Sequence, residues 1–137
     1  MQGFLMIPSG GTGIRFRYYT AEAPITSEAF EALLPVVLKL RHARVSGQEI
    51  WTNEAPPLDI IQENASVLTE PGEVVYGPAQ PLRNPTANCM GVYYGAGRGL
   101  DACNIFARVW EEDMPLLQAL GEVVWLQGEQ WVRFEKM

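Results

Sequence analysis

The ten residues HARVSGQEIW, positions 42–51, contain the chain's only histidine, an arginine two positions later, and a glutamate and a tryptophan across a Ser-Gly-Gln turn. An arginine aimed into a cleft holds a carboxylate or carbonyl through a planar fork of charge-assisted donors. A glutamate beside it accepts hydrogen bonds or protons, and an indole adds a flat apolar wall with one polar edge. Alternate side chains of a strand share a face, so His42, Arg44 and Ser46 point one way; past the turn, Glu49 and Trp51 share a face with each other. A hairpin of suitable register sets Arg44 opposite Glu49 or Trp51. The same residues also fit a solvent-facing cross-strand ion pair, worth less than ~1 kcal/mol. Histidine suits general-base chemistry, but His42 has no Ser, Cys or Asp partner at a recognisable spacing, and one histidine does not build a typical zinc site. A hydrogen-bonded structural histidine is the favoured reading.

Other polar and aromatic groups recur along the chain. Glu63 and Asn64 stand in QENAS, ahead of the segment EPGEVVYG. They either line a polar pocket or make turn hydrogen bonds. Tyr76, Tyr93 and Tyr94 place phenols on glycine-bounded strands, and such groups often line small-ligand sites, although one of an adjacent pair must face a core. In NIFARVW, Ile105, Ala107 and Val109 read as the core row, which leaves Asn104, Phe106 and Arg108 for a cleft or the outside. The run YGAGRG, 94–99, precedes a strand. It therefore fits neither a dinucleotide fingerprint nor a Walker loop, and reads as a flexible loop with Arg98 near a cleft mouth. No paired carboxylates, nucleophile elbow, Cys/His dyad or metal-ligand cluster stands out. No catalytic residue, metal or cofactor is assigned.

The elements that must carry these groups are mostly short strands. GFLMI and IRFRYYT flank PSGGTG as an N-terminal hairpin; RHARV and EIWT flank the Ser-Gly-Gln turn; GEVVYG lies between prolines. GVYYG and NIFARVW are separated by AGRGLDA, and EVVWL and QWVRFE by QGE. Two helices are expected. One has Thr26 as N-cap and Glu28 in its first turn, and stops at Pro35; the other runs over MPLLQAL between Asp113 and Gly121. This pattern predicts a mainly β domain, a small closed barrel with two short helices. With 137 residues and neither repeat nor linker, residues 1–137 form one domain. Apolar residues make up 47% and charged ones 19%, and the net charge of −6 argues against a nucleic-acid partner. No apolar run is long enough to span a membrane, and the brief N-terminal apolar run has no basic leader. The expectation is a soluble cytoplasmic protein with Cys89 and Cys103 reduced. The tryptophans of the C-terminal strands, Trp125 and Trp131, are candidates for covering a partner in a homo-oligomer.

IRFRYYTAEAPITSEAFEALL resembles the opening of cyclophilins, in which a strand leads through an APxT turn to a helix with a phenylalanine four residues after the threonine, here Ala23, Pro24, Thr26 and Phe30. HARVSGQEIW, ENASVLTEPGEVVYGP, GVYYGAGRG, CNIFARVWE and LGEVVWLQGEQWVRFE are similar, in order and spacing, to a bacterial group of small cyclophilin-like proteins of undefined function, the DUF3830 group. The resemblance covers almost the full length and implies a cyclophilin-like barrel of about eight strands with a cleft on one face. It places Arg44 nearest to the cyclophilin active-site arginine. The Gln-Gly-Gly-Asp segment that should follow is replaced by SGQEIWTNE, and the proline-pocket tryptophan and histidine have no match, so prolyl isomerase activity transfers poorly. The combined expectation is a small-molecule or peptide-segment site lined by Arg44, Glu49, Trp51, Glu63, Asn64, Tyr76, Tyr94, Asn104 and Phe106.

Overall fold

Strict alternation sets the frame in β3 (Val36–His42), where Leu38 and Leu40 are buried while Val37 and Lys39 face solvent. In β8 (Gln130–Lys136), Val132 and Phe134 do the same against Trp131 and Arg133. Period-two burial of this kind marks strands with one face on a core. A computed structural model describes residues 1–137 and shows six further strands: β1 (Gly3–Pro8), β2 (Ile14–Tyr18), β4 (Gly47–Thr52), β5 (Ala65–Leu68), β6 (Glu73–Tyr76) and β7 (Met90–Val109). The predicted N-terminal hairpin is present, with Gly3 opposite Arg17 and Met6 opposite Ile14.

All strand pairings are antiparallel, and they return to their starting point. β2 pairs β1, then β8, β3, β4 and the first part of β7 follow; β6 comes next, then the last part of β7, which pairs β2 again. One strand, β7, therefore flanks β6 on both sides: Val74 lies opposite both Val92 and Ala107. The ring leaves no long unpaired edge, which removes the usual route to edge-to-edge association. Its interior holds a cluster of fully buried rings from Phe4, Phe16, Phe30, Phe106 and Phe134. Phe4 stacks on Phe16 at 5.0 Å, and Phe30 meets Phe4 at 4.9 Å and Phe106 at 5.1 Å. Burying each such side chain contributes roughly 1.5–3 kcal/mol.

Two helices close the ring. α1 (Pro24–Leu33) contributes Phe30 to the core, and Pro35 ends it by holding Leu34 extended. It begins two residues before the predicted N-cap. Pro24 occupies the first turn, and Thr26 lies fully buried inside the helix. α2 (Met114–Gln127) overturns a larger expectation, because it continues through Gly121 and absorbs EVVWL, which was expected to be a strand. Leu117, Leu120, Gly121 and Val124 make one buried face at helical spacing, and this tertiary burial outweighs the β preference of Val123 and Val124. Gly121 serves close approach: a Cβ there would sit 2.3 Å from the Tyr94 ring. The helix stops instead at Gly128, whose φ is 91°. No helix is long and apolar enough to cross a membrane.

The glycine-rich segment between GVYYG and NIFARVW is not a loop. β7 runs through it as a single 20-residue strand, pairing Gly97 with Gly47, Arg98 with Leu68 and Cys103 with Ser66. A Cβ at Gly97 would lie 2.4 Å from the Ser46 carbonyl oxygen and 2.7 Å from the Tyr93 ring, so glycine permits a crossing there rather than mobility. Further along, Val75 faces Ile105 while Val74 faces Ala107, so Phe106 is an extra residue at a bulge. The bulge puts both Phe106 and Ala107 into the main core and leaves Ile105 in a small outer cluster with Val75 and Tyr93. Simple alternation therefore assigns Phe106 to the wrong side.

Candidate functional site

On the outer face of the ring, β3, β4 and β7 form the floor of a cleft of about 880 Å³, rimmed by residues 43–46, 85–89 and 99–101. Alternation in β3 that buries Leu38 and Leu40 turns Arg41 outward, directly opposite Trp51 of β4. The Arg41 guanidinium carbon lies 4.5 Å from the centre of the indole ring, a cation–π arrangement. Two residues before Trp51, Glu49 shares its face and pairs across with Tyr93 of β7. Its side chain is nearly buried, and the Ser46 hydroxyl donates to Glu49 Oε1 at 2.6 Å. Gly91 makes room for this carboxyl: a Cβ there would come within 2.1 Å of Glu49 Oε2.

Burial pushes the Glu49 carboxyl above its ordinary range, while the Ser46 hydroxyl and the nearby Tyr93 phenol pull the other way. Burial also raises Tyr93, with the Glu49 charge adding to it. Cys89 and Cys103 line the same cleft as free thiols. Cys103 is pushed up to about 12, chiefly by burial, and Cys89 is raised for the same reason. The chain's ion pairs are Arg15–Asp113, Lys39–Glu129 and Arg133–Glu135, so neither Arg41 nor Arg44 has a carboxylate within 4.0 Å. The Thr69 hydroxyl, also on the cleft wall, is the one buried side-chain polar atom without a hydrogen bond.

Of the residues expected at a site, Arg44, Glu49 and Trp51 meet here. Arg44 sits in the exposed turn after β3, and the arginine on the strand itself is Arg41. The remaining six stand elsewhere. Tyr76 and Phe106 belong to the core, with the Tyr76 hydroxyl donating to the Pro56 carbonyl. Tyr94 points inward beneath α2, and its hydroxyl lies 2.8 Å from His42 Nε2. The other ring nitrogen of His42 lies 2.7 Å from the Ala43 carbonyl oxygen, and Trp125 of α2 packs edge-on at 4.7 Å. His42 is thus a hydrogen-bonded structural residue at the cleft's edge.

Glu63, Asn64 and Asn104 form a separate polar network that serves α1. No side chain near Ala23 caps this helix; Glu63 reaches in from its loop and accepts from the Ile25 and Thr26 backbone amides at 3.2 and 2.8 Å and from the Thr26 hydroxyl at 2.7 Å. A carboxylate at a helix N-terminus also meets the positive end of the helix dipole. Asn104, fully buried, donates to Thr26 Oγ1 and to the Ile61 carbonyl, each at 3.1 Å, and accepts from the Glu63 amide at 3.0 Å. Asn64, at φ 50°, donates to the Ile105 carbonyl at 2.8 Å.

Sequence reasoning did not bring in Arg41, Ser46, Thr69 or Cys103, and considered Tyr93 without assigning it to the site. A signal existed for Arg41 in the LKLRH alternation, and for Tyr93 in Gly91 and Gly95, which share its outward face and leave space for Glu49 and Gln48. Nothing in the sequence marks Thr69.

The chain aligns with three solved structures at low identity, which establishes a shared fold. McbB in complex with tryptophan matches at TM-score 0.71 and 17% identity over 97% of this chain, which spans only 44% of the McbB chain. The hypothetical protein AF2241 from Archaeoglobus fulgidus, solved in solution, matches at 0.67 and 18% identity, covering 99% of this chain and 95% of that one. A Cryptosporidium parvum cyclophilin type peptidyl-prolyl cis-trans isomerase, crystallised in the presence of the dipeptide Ala-Pro, matches at 0.54 and 16% identity over 85% of each chain. No curated protein matches the sequence. Residues 5–136 match the family model described as protein of unknown function (DUF3830), and the chain therefore belongs to that family, on a cyclophilin-like fold.

Proposed function

We propose that this protein binds a small polar molecule or a short peptide segment in the cleft between β3, β4 and β7. The observation that carries this reading is Glu49, a carboxyl nearly buried in the floor of an open cleft with no cation paired to it. Holding such a group out of water costs stability, and proteins concentrate such costs at sites of use. The Arg41 guanidinium over Trp51, with no carboxylate paired to it, supports the reading, because it retains hydrogen-bonding capacity that the fold itself does not use. The volume falls within the usual small-ligand range of roughly 300–1,000 Å³. Two proteins of the same fold were studied with tryptophan and with a dipeptide, which are ligands of compatible size.

Thermal shift across amino acids, dipeptides and polar metabolites, followed by a structure with the best hit, tests the proposal. A compound that raises the melting temperature and contacts Glu49 or Arg41 supports it. A panel without stabilising compounds, together with a crystal structure whose cleft is filled by the protein's own side chains, refutes it.

A further inference from the structure

We infer that the ligand is an amino-acid-like zwitterion, with its carboxylate on Arg41 and its ammonium on Glu49. This rests on the cleft being a ligand site and adds the chemistry that the ligand must present. On the cleft floor Arg41 and Glu49 are a cation and a carboxyl that do not pair with each other, while Arg44, Asp101 and Glu129 stand around them on the lining. Arg41 stands opposite Trp51, and Glu49 lies two residues along β4 on the same face, a diagonal separation of about 7–8 Å between backbones. Packing over the Trp51 ring holds the guanidinium in place, and with no carboxylate paired to it the fork is available to a planar acceptor such as a carboxylate, which takes two parallel hydrogen bonds. Glu49 needs the opposite. Its neighbours are a hydroxyl, from Ser46, and a phenol, from Tyr93, but no cation, and a cation brought close to it would offset the cost of its burial. A neutral polar ligand leaves both costs in place, and a simple anion satisfies Arg41 while facing the Glu49 carboxyl. A molecule with an anionic and a cationic group a few bonds apart satisfies both.

The groups facing Glu49 are Tyr93, Cys89 and Cys103 from the β7 side, Asp101 at the rim, and Arg41 on β3. Burial keeps the phenol and both thiols protonated at neutral pH. Asp101 adds a second negative group on the side where the ammonium would enter. Apolar surface for a ligand side chain is present at the mouth, where Val45 and Leu100 are 73% and 75% exposed.

Ammonium binding favours the ionised form of Glu49, so formation of the complex releases a proton and affinity rises as pH increases through the range in which this carboxyl titrates. Calorimetry on the full chain tests both parts, using L-tryptophan, L-phenylalanine and L-leucine, their amides, which lack the carboxylate, and the corresponding deaminated acids. At least one amino acid is expected to bind about tenfold or more tightly than both of its truncated forms. Affinity should rise as pH increases above the ordinary carboxylate range, with a buffer-dependent heat that reports the released proton. Arg41→Gln should bring the amino acid down to the affinity of its amide. Glu49→Gln should bring it down to that of the deaminated acid and remove the pH dependence, whereas Asp101→Asn should keep it. The probe series on the unaltered protein is decisive even if a variant folds poorly. Equal binding of the truncated forms, or occupation of the cleft by a compound lacking one of the two charges, overturns this inference and leaves the cleft standing as a site. Failure of every compound class to bind there overturns both readings.

Discussion

Replacing Asn104 with leucine removes the hub of the network that caps α1. The side chain is fully buried and makes three hydrogen bonds, to Thr26 Oγ1, the Ile61 carbonyl and the Glu63 amide. Leucine is close in size, so little cavity forms, and the loss is dominated by polar groups left without partners. The Ile61 carbonyl and the Glu63 amide each lose their Asn104 bond, at about 1–3 kcal/mol for a buried group, while the Thr26 hydroxyl keeps Glu63. The sum is about 2–6 kcal/mol. With about 3–4 °C per kcal/mol for a domain of this size, the melting temperature should fall by about 6–24 °C. Loosening of Glu63 should also fray the first turn of α1, visible as faster hydrogen exchange at Ser27 and its neighbours. Urea denaturation followed by circular dichroism gives the free energy directly. A variant within about 1 kcal/mol of the parent, or one that keeps full stability and loses ligand affinity, would show that Asn104 belongs to the binding site and not to the scaffold.

Four further outcomes follow from the same geometry. Glu49 has a folded-state pKa above its unfolded value of 4.5, so its contribution to stability is fully present below that pH and is lost as pH rises through the higher folded value; Glu49→Gln should therefore be more stable than the parent at pH 7 and show a flatter dependence on pH. Gly121→Ala should destabilise the protein by about 1–3 kcal/mol, because the added Cβ meets the Tyr94 ring at 2.3 Å; in an exposed helix the same change stabilises by up to ~1 kcal/mol, so the sign of the measured change decides. Cys103 should react with iodoacetamide at pH 7 far more slowly than a free thiol, since a group pushed up to about 12 holds almost no thiolate there. A proline-peptide cis/trans assay should show only the uncatalysed rate, because the Gln-Gly-Gly-Asp segment and the proline-pocket tryptophan and histidine of cyclophilins have no match in this sequence; clear acceleration lost in Arg41→Ala would reverse that expectation.

Much of the fold was legible because most strands follow a period-two pattern and most turns carry glycine or proline. The N-terminal hairpin, the helix ending at Pro35 and the mainly β class all rest on such local signals. Three features lay beyond local reading. β7 looked like two strands because glycines usually interrupt pairing, whereas here they allow a close crossing by Ser46 and the Tyr93 ring. EVVWL looked like a strand because valine favours one, and only burial against the ring makes it a helix. The bulge at Phe106 turns Phe106 inward and Ile105 outward while Ala107 and Val109 keep the expected core side, and no residue type announces it. The site suffered in the same way. Glu49 and Trp51 were recognisable from a short, regular strand, whereas Asn104 and Glu63 are polar residues whose partner, α1, lies distant in sequence and close in space.

The double pairing of β6 has a mechanical consequence for the cleft. β6 is the spacer between the first and last parts of one continuous strand, with Gly91 and Ile105 both opposite Val75 and Met90 and Asn104 both opposite Tyr76. A one-residue slip of β6 would break its hydrogen bonds on both sides at once, so its register is specified twice. The separation between those two parts of β7 is therefore fixed at about two inter-strand spacings, ~9.6 Å, independently of any occupant. On the proposed reading, a cleft with such a gauge block in its floor would select by size and adapt only through its rim, residues 43–46 and 99–101. The amides of Val74 and Val75 should accordingly exchange only through global unfolding, whether or not a ligand is bound.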